Sequence, residues 1–97
     1  MLFCVQWEFI DTTEVGQKRS VQLFSKWKPG PATFQGFYQF ADGTGGMAVV
    51  EAATAADLAK TVAPWTPFLK FTTRVLVPIQ EATAIDVEAM TWRDSMK

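Results

Sequence analysis

Alternating apolar and polar residues mark four short segments of the chain as β-strands. In the first, residues 2–10, Phe3, Val5, Trp7 and Phe9 fall on one side, and a two-residue period is typical of a half-buried strand. The same pattern predicts strands over residues 34–41, 47–53 and 69–79. The sequence Asp42-Gly43 opens the link between the second and third strands and favours a tight turn. These two strands are therefore predicted to form a hairpin.

Helical signals separate the strands. Asp11, with Glu14 three residues later, resembles a capping box, and the helix that it opens is predicted to run to about Trp27. A second helix is predicted to start at Thr54, and the prolines at positions 64 and 67 bring it to an end. A short third helix is predicted from Thr83 through position 93.

This order of elements predicts the fold class. The order β-α-β-β-α-β is that of the α+β ferredoxin-like fold, and right-handed crossovers give an antiparallel sheet with strand order 4-1-3-2. The 97 residues are sufficient for a single domain, with residues 1–80 as its core and residues 81–97 as a C-terminal helix and tail.

The predicted sheet has two different faces. The face covered by both helices is expected to carry apolar and aromatic residues: Phe3, Val5, Trp7, Phe9, Tyr38, Val50, Val75 and Val77. The opposite face mixes polar and apolar residues: Cys4, Gln6, Glu8, Gln35, Phe37, Gln39, Met47, Val49, Glu51, Thr72, Arg74 and Leu76. It is too apolar to stay in water and too polar for a dry core. We therefore expect a homodimer that forms through this face, in the manner of a dimeric α/β barrel.

Composition narrows the classes of function. The net charge is −1 and there is no basic stripe, so we expect neither a nucleic acid nor a membrane as partner. The chain has no histidine, which excludes His-based catalysis and His-ligated metal or haem. Its single cysteine provides too few ligands for a zinc site and is consistent with a reducing, cytoplasmic location. We expect no metal and no cofactor.

Several short motifs resemble a known family. The start Met1-Leu2-Phe3-Cys4-Val5-Gln6-Trp7, the Gly36-Phe37-Tyr38 strand, the Gly43-Thr44-Gly45-Gly46 loop and Val49-Val50-Glu51-Ala52 resemble a bacterial family of domains of unknown function. The resemblance implies the dimeric α/β-barrel superfamily, which includes cofactor-independent monooxygenases, haem-degrading enzymes, lactone isomerases, chlorite dismutases and effector-binding domains. Relatives often carry a histidine near Tyr38, and this chain has none.

Two groups of residues are candidate ligand sites. Glu8 and Arg74 are expected to be neighbours on the open face, with Gln6, Gln39 and Thr72 around them. Such a group binds a small polar molecule, or it is an ion pair within a dimer interface. The second group is aromatic and could line a cleft between sheet and helices, or could simply be core: Trp7, Phe24, Trp27, Tyr38, Trp65 and Phe68.

Three functions remain open on the sequence. The first is a small-molecule-binding or sensing domain, with Gln6, Glu8, Gln39, Arg74, Trp7, Tyr38 and Trp65 as ligand contacts. The second is a cofactor-independent monooxygenase or isomerase that acts on a small hydrophobic substrate. The third is a purely structural self-association domain. A cavity with a polar group aimed into it would indicate an enzyme, whereas a cavity without a candidate base would indicate binding. If both faces were filled, the structural function would be favoured.

Overall fold

Four antiparallel strands form one sheet in the computed structural model of the protein, which describes residues 1–96. The strands pair in the order β2-β3-β1-β4, which is the predicted order read from the other edge. Their bounds are β1 Leu2–Phe9, β2 Thr33–Gln39, β3 Gly45–Glu51 and β4 Leu69–Leu76. The α+β class is thus confirmed, and the sheet is compatible with a ferredoxin-like fold.

Helix α1, Glu14–Lys26, begins later than the sequence predicts. Its N-cap is Thr13, whose hydroxyl accepts a hydrogen bond from the Gly16 N–H at 3.1 Å. The predicted cap, Asp11, instead accepts hydrogen bonds from the Thr13 hydroxyl at 2.6 Å and the Thr13 N–H at 2.9 Å. These hydrogen bonds stabilise the carboxylate and lower the pKa of Asp11. Asp11 therefore holds the capping residue in place rather than capping the helix itself.

Helix α2, Ala55–Val62, starts where predicted, after the N-cap Thr54. A short 3-10 turn, Ala63–Trp65, follows it and carries Pro64 at its start. The buried core lies between α2 and the helix-covered face of the sheet. It consists of Phe3, Val5, Ala32, Ala48, Val50, Ala52 and Leu58. Four partly buried side chains pack against this core: Trp7, Phe34, Val62 and Phe71.

A bulge in β2 reverses part of the predicted face assignment. Phe34 pairs with Val50, but the next pair is Gly36 with Val49, so Gln35 is an extra residue. Because the two-residue period restarts after the bulge, Phe37 and Gln39 turn to the helix side and Tyr38 turns to the open side. The predictions that put Tyr38 with the helices, and Phe37 and Gln39 on the open face, are therefore wrong.

Helix α3, Ile79–Asp94, is longer than predicted and begins directly after Pro78. The predicted fourth strand was too long, because β4 ends at Leu76. Within residues 1–96, α3 contains no buried residue and has no extended contact with any strand or other helix. The radius of gyration is 17.7 Å, against about 12–13 Å for a compact domain of this length, and the longest dimension is 61 Å. None of the helices in the described part of the chain is long and apolar enough to cross a bilayer.

Candidate ligand cavity

A cavity of about 350 Å³ lies between the helices and the covered face of the sheet. Strand residues form its floor, α1 forms one wall, and α2 with the 3-10 turn forms another. Its lining is almost entirely apolar: Val5, Trp7, Phe9, Ser20, Val21, Phe24, Trp27, Phe34, Phe37, Gln39, Ala48, Val50, Val62, Trp65, Leu69 and Phe71. The cavity is thus an apolar, aromatic chamber that is open on one side.

The floor depends on a glycine in β3. Gln39, Gly46, Trp7 and Phe71 form one row across the four strands. Gly46 is buried and has no side chain, and the six-membered ring of Trp7 lies over it. A methyl group at this position would overlap Trp7 Cζ2 and the Tyr38 carbonyl oxygen. The indole can therefore lie flat along the sheet only because residue 46 is glycine.

Aromatic rings form the walls through edge-to-face contacts. The Phe37 ring meets Trp7 at 5.4 Å between centroids, with an angle of 90° between the ring planes. Trp27 meets Trp65 at 5.6 Å and 89°, and Phe34 at 5.6 Å and 87°. Such pairs contribute about 0.5–1.5 kcal/mol each beyond burial of area. The contacts hold the rings around the space instead of letting them collapse into it.

A hydrogen-bonded link fixes the end of α1 relative to α2. The Trp27 indole N–H donates to the Thr61 carbonyl oxygen at 3.2 Å. The Thr61 hydroxyl, whose residue is only 2% exposed, donates to the Pro29 carbonyl oxygen at 2.7 Å. Because both bonds join residues more than 30 positions apart, they set the spacing between the two helical walls.

The cavity wall has little polarity. Gln39 and Ser20 are its polar side chains, and none of its lining residues in the described part of the chain ionises near neutral pH. The Trp65 ring also lines the wall, but its indole nitrogen is buried away from the accessible surface and has no hydrogen-bond partner within residues 1–96. An unpaired buried N–H is unfavourable by about 1–3 kcal/mol. The wall therefore combines apolar surface with two neutral polar side chains.

The structure separates the predicted ligand contacts into two groups. Trp7, Trp65 and Gln39 line the cavity. Gln6, Glu8, Tyr38 and Arg74 belong to the opposite, open face of the sheet. Of the predicted aromatic cleft, Trp7, Phe24, Trp27 and Trp65 line the cavity, whereas Tyr38 and Phe68 do not.

The expected pairing of Glu8 with Arg74 is wrong. The register between β1 and β4 places Glu8 opposite Lys70 and Arg74 opposite Cys4. Four residues along a strand separate the two positions by about 13 Å. In an antiparallel pair, the end of one strand lies beside the start of the other. Glu8 lies near the end of β1 and is therefore beside the start of β4, whereas Arg74 lies near the end of β4. The two side chains therefore do not form one binding group within a single copy.

The predicted aromatic cleft contains only four of the sixteen residues that line the cavity. Phe37 was placed on the wrong face, and Phe9, Phe34 and Phe71 were assigned to strands without being linked to a cleft. The useful signal was Gly46, which lies opposite Trp7 in β3 and leaves room for a large ring. In residues 1–96, no three or more Cys, Asp or Glu side chains come together in a way that would bind a metal ion.

The fold and cavity define an α+β protein with an antiparallel sheet and an apolar chamber under its helices. The sequence matches the family model described as "Domain of unknown function (DUF3303)" over residues 1–90. The chain belongs to this family, which confirms the resemblance at the level of a domain of unknown function. A comparison with curated proteins finds no match.

Proposed function

We propose that this chain is a small-molecule-binding domain that takes an apolar ligand into the cavity and acts as a homodimer. The observation that carries the proposal is an aromatic-lined cavity of about 350 Å³. Ligand sites are typically concave and mostly apolar, with volumes of roughly 300–1,000 Å³. At an interior packing density of about 0.74, this cavity accommodates on the order of a dozen non-hydrogen atoms.

The polar groups of the wall indicate the class of ligand. Charged molecules are disfavoured, because the wall offers no charged partner and burial of an unpaired charge is strongly unfavourable. A carbonyl or ether oxygen is favoured, because the Ser20 hydroxyl and the Gln39 amide of the wall can donate a hydrogen bond to it. The ligand class that fits is a flat carbon ring system with a single acceptor.

Binding is favoured over catalysis by the same wall. General acid–base catalysis requires a titratable side chain within hydrogen-bond reach of the substrate. The residues that line the cavity are apolar or neutral, with Gln39 and Ser20 as the polar side chains. The superfamily suggested by the sequence contains both enzymes and effector-binding domains. The apolar and neutral lining of the cavity favours an effector-binding domain.

Two matched probes test the proposal. Indane is a bicyclic hydrocarbon, and 1-indanone adds a carbonyl group to the same skeleton. We expect both to bind the wild-type protein in isothermal titration calorimetry, with 1-indanone about fivefold tighter, which corresponds to about 1 kcal/mol for one hydrogen bond. If neither probe binds at millimolar concentration, the cavity is not a ligand site for this class.

Two serines of α1 provide a matched pair of variants. Ser20 lines the cavity, whereas Ser25 is exposed on the same helix. Ser20→Phe is expected to fill the cavity and abolish binding of both probes, and Ser25→Phe to leave binding unchanged. Ser20→Ala together with Gln39→Leu is expected to remove only the preference for 1-indanone. Equal binding by Ser20→Phe and wild type would refute the location of the site.

The open face of the sheet supports the homodimer. Tyr38, Met47, Gln6 and Thr72 form one row across it, and Gly36, Val49, Cys4 and Arg74 form the next. Tyr38 is 63% exposed, and it replaces Phe37 as the aromatic ring of this face. The face thus remains the mixed apolar and polar surface that the dimer prediction requires, although its aromatic residue has changed.

Light scattering after size exclusion tests the dimer at micromolar concentration. We expect a mass of two chains for the wild type and of one chain for Val49→Arg, which puts a charge at the centre of the face. The roles of Gln6, Glu8, Tyr38 and Arg74 as ligand contacts stay a prediction. If Glu8→Gln and Arg74→Ala weaken the dimer but leave probe binding intact, these residues serve the interface instead.

A further inference from the structure

Helix α1 buries very little of itself against the rest of the chain. Within residues 1–96, Gly16 is the one buried residue among its 13 positions. Helix α2 has only 8 residues, yet it buries Leu58 and Thr61. Helices of such lengths are marginal in water on their own, and most of their stability comes from tertiary packing. Helix α1 therefore lacks the packing that α2 has.

The inner side of α1 faces the cavity instead of a packed core. Ser20, Val21 and Phe24 lie on this side and line the cavity. Val21 is 64% exposed and Phe24 is 56% exposed. In the described part of the chain, the backbone of α1 has no extended close approach to a strand or to another helix. The cavity thus occupies the space in which side chains of a packed helix would meet the sheet.

Hydrogen bonds hold α1 at its two ends. At its start, the Asp11 carboxylate accepts a bond from the Thr13 hydroxyl, which accepts one from the Gly16 N–H. The same carboxylate occupies the space that a side chain at residue 16 would fill. At its end, the Trp27 indole N–H donates to the Thr61 carbonyl oxygen at 3.2 Å. The helix is therefore fixed at both ends and spans the cavity between them.

The contacts of α1 between these ends are loose. Arg19 Cζ lies 5.9 Å from the centre of the Phe68 ring, close to the limit of about 6 Å for a cation–π contact. Phe24 meets Phe37 and Trp65 at 6.1 and 6.4 Å between ring centroids, and more than half of it stays exposed. Segments with few buried contacts open locally at low free energy. The middle of α1 is such a segment.

We infer that the ligand supplies the packing that α1 lacks, so that the helix opens locally over an empty cavity and becomes ordered when a ligand fills it. This inference rests on the proposed small-molecule-binding function and adds the element that responds to the ligand. A ligand between α1 and the sheet covers Val21 and Phe24, and so buries their apolar surface. Opening of α1 removes one wall of the site, so the ligand binds the closed form and shifts the equilibrium toward it.

Hydrogen exchange followed by mass spectrometry tests the inference on the full chain without ligand. We expect the amides of residues 18–26 in α1 to exchange roughly 100-fold faster than those of residues 59–62 in α2, because α1 opens without unfolding the domain. Strand β1, in the interior of the sheet, reports global unfolding. If α1 exchanges as slowly as α2, the inference is overturned.

The second measurement adds 1-indanone at about ten times its Kd. An opening that destroys the site is suppressed by the factor 1 + [L]/Kd, so exchange in α1 should slow about tenfold. If calorimetry shows binding while exchange in α1 is unchanged, the inference is wrong and the binding function stands. If neither 1-indanone nor indane binds, the proposed function and this inference fall together.

The variant Ser20→Phe separates packing from ligand chemistry. Its ring is expected to fill the cavity from α1 itself, so exchange in α1 should slow about tenfold with no ligand added. Ser25→Phe, at an exposed position of the same helix, is the control and should leave exchange unchanged. If folded Ser20→Phe exchanges in α1 as fast as the wild type, the inference is overturned. If this variant does not fold, the measurement with 1-indanone on the wild type decides.

Discussion

Replacing Gly46 by alanine tests how the cavity floor is built. The added methyl group would overlap Trp7 Cζ2 and the Tyr38 carbonyl oxygen, and would lie 2.7 Å from Trp7 Cη2. Carbon atoms in protein interiors approach to about 3.5–4.0 Å. The indole therefore has to leave the sheet, or β2 has to separate from β3.

The magnitude follows from what the displaced ring loses. Moving Trp7 breaks its edge-to-face contact with Phe37, worth about 0.5–1.5 kcal/mol. Complete loss of a core aromatic side chain costs about 3–5 kcal/mol, and a displaced indole retains part of its burial. Removing a glycine from a strand interior gains about 0.5–1 kcal/mol. Together with the backbone overlap, we expect a net destabilisation of about 3 kcal/mol, or roughly 12–24 °C in Tm for a domain of this size.

Urea unfolding followed by circular dichroism measures this change, with Gly36→Ala as the matched control. Gly36 is also in the sheet, but its added methyl group would meet only the ring of the exposed Tyr38, at 3.0 Å. That ring can rotate away, so we expect Gly36→Ala to cost less than about 1 kcal/mol. Gly46→Ala is also expected to abolish binding of indane, because Trp7 would enter the cavity.

A double-mutant cycle identifies the clashing ring. Trp7→Phe removes the ring atoms that lie over Gly46, so adding Gly46→Ala to Trp7→Phe should cost at least about 1 kcal/mol less than adding it to the wild type. The reasoning is refuted if Gly46→Ala is no more destabilising than Gly36→Ala. It is also refuted if the cost is the same in both backgrounds.

Three further predictions concern the walls, the helix cap and the bulge. Thr61→Val removes the buried hydroxyl that bonds to a loop carbonyl and is expected to cost about 1–3 kcal/mol in urea unfolding, whereas Thr61→Ser should cost less. The pKa of Asp11 is lower in the folded protein than its ordinary value of 3.8, so its contribution to stability is present above pH 3.8 and is lost as the pH falls through the folded value. Asp11→Asn should therefore be less stable than the wild type at pH 6, with a difference that shrinks in acid; a constant difference would contradict this cause. Deletion of Gln35 removes the extra residue, so Gly36 should still pair with Val49 and Phe37 should keep its place in the cavity; binding of indane is expected to persist, and loss of binding would show that the bulge itself holds Phe37 in position.

The strands and their order could be predicted because they depend on local signals. The alternation in residues 2–9 and the Asp42-Gly43 turn reflect requirements of a few adjacent residues. The capping residue Thr54 is equally local, and α2 begins where it predicts. Once the strands and helices are known, the right-handed rule for crossover connections leaves few possible strand orders, and the observed order is one of them.

The bulge could not be read in the same way. Gly36 inside the strand pattern is compatible with a bulge, but the sequence does not show whether a residue is extra or which one it is. The bulge is visible only in the pairing with β3, where Gly36 rather than Gln35 aligns with Val49. A single unpaired residue then exchanges the faces of every later residue in the strand. This exchange moved Phe37 and Gln39 into the cavity and Tyr38 out of it.

The candidate site likewise combines residues that the sequence identifies with positions that only strand pairing decides. Trp7, Trp65 and Gln39 were named from the sequence and line the cavity, but Glu8 and Arg74 belong to different rows of the other face. Which residues lie opposite one another depends on register, and register depends on how whole strands align rather than on residue type. The projecting position of α3 was also not predicted, because its sequence indicates only that a helix forms.

By itself, the sequence determined the class of fold, the strand order and a surplus of aromatic residues near the sheet, since these follow from short-range periodicity and side-chain chemistry. Only the tertiary structure decided that the aromatic residues enclose a cavity, which of them face it, and that α3 leaves the domain. These features arise from contacts between residues far apart in the chain. A one-residue shift in pairing or a glycine beneath a ring changes them without changing any local pattern.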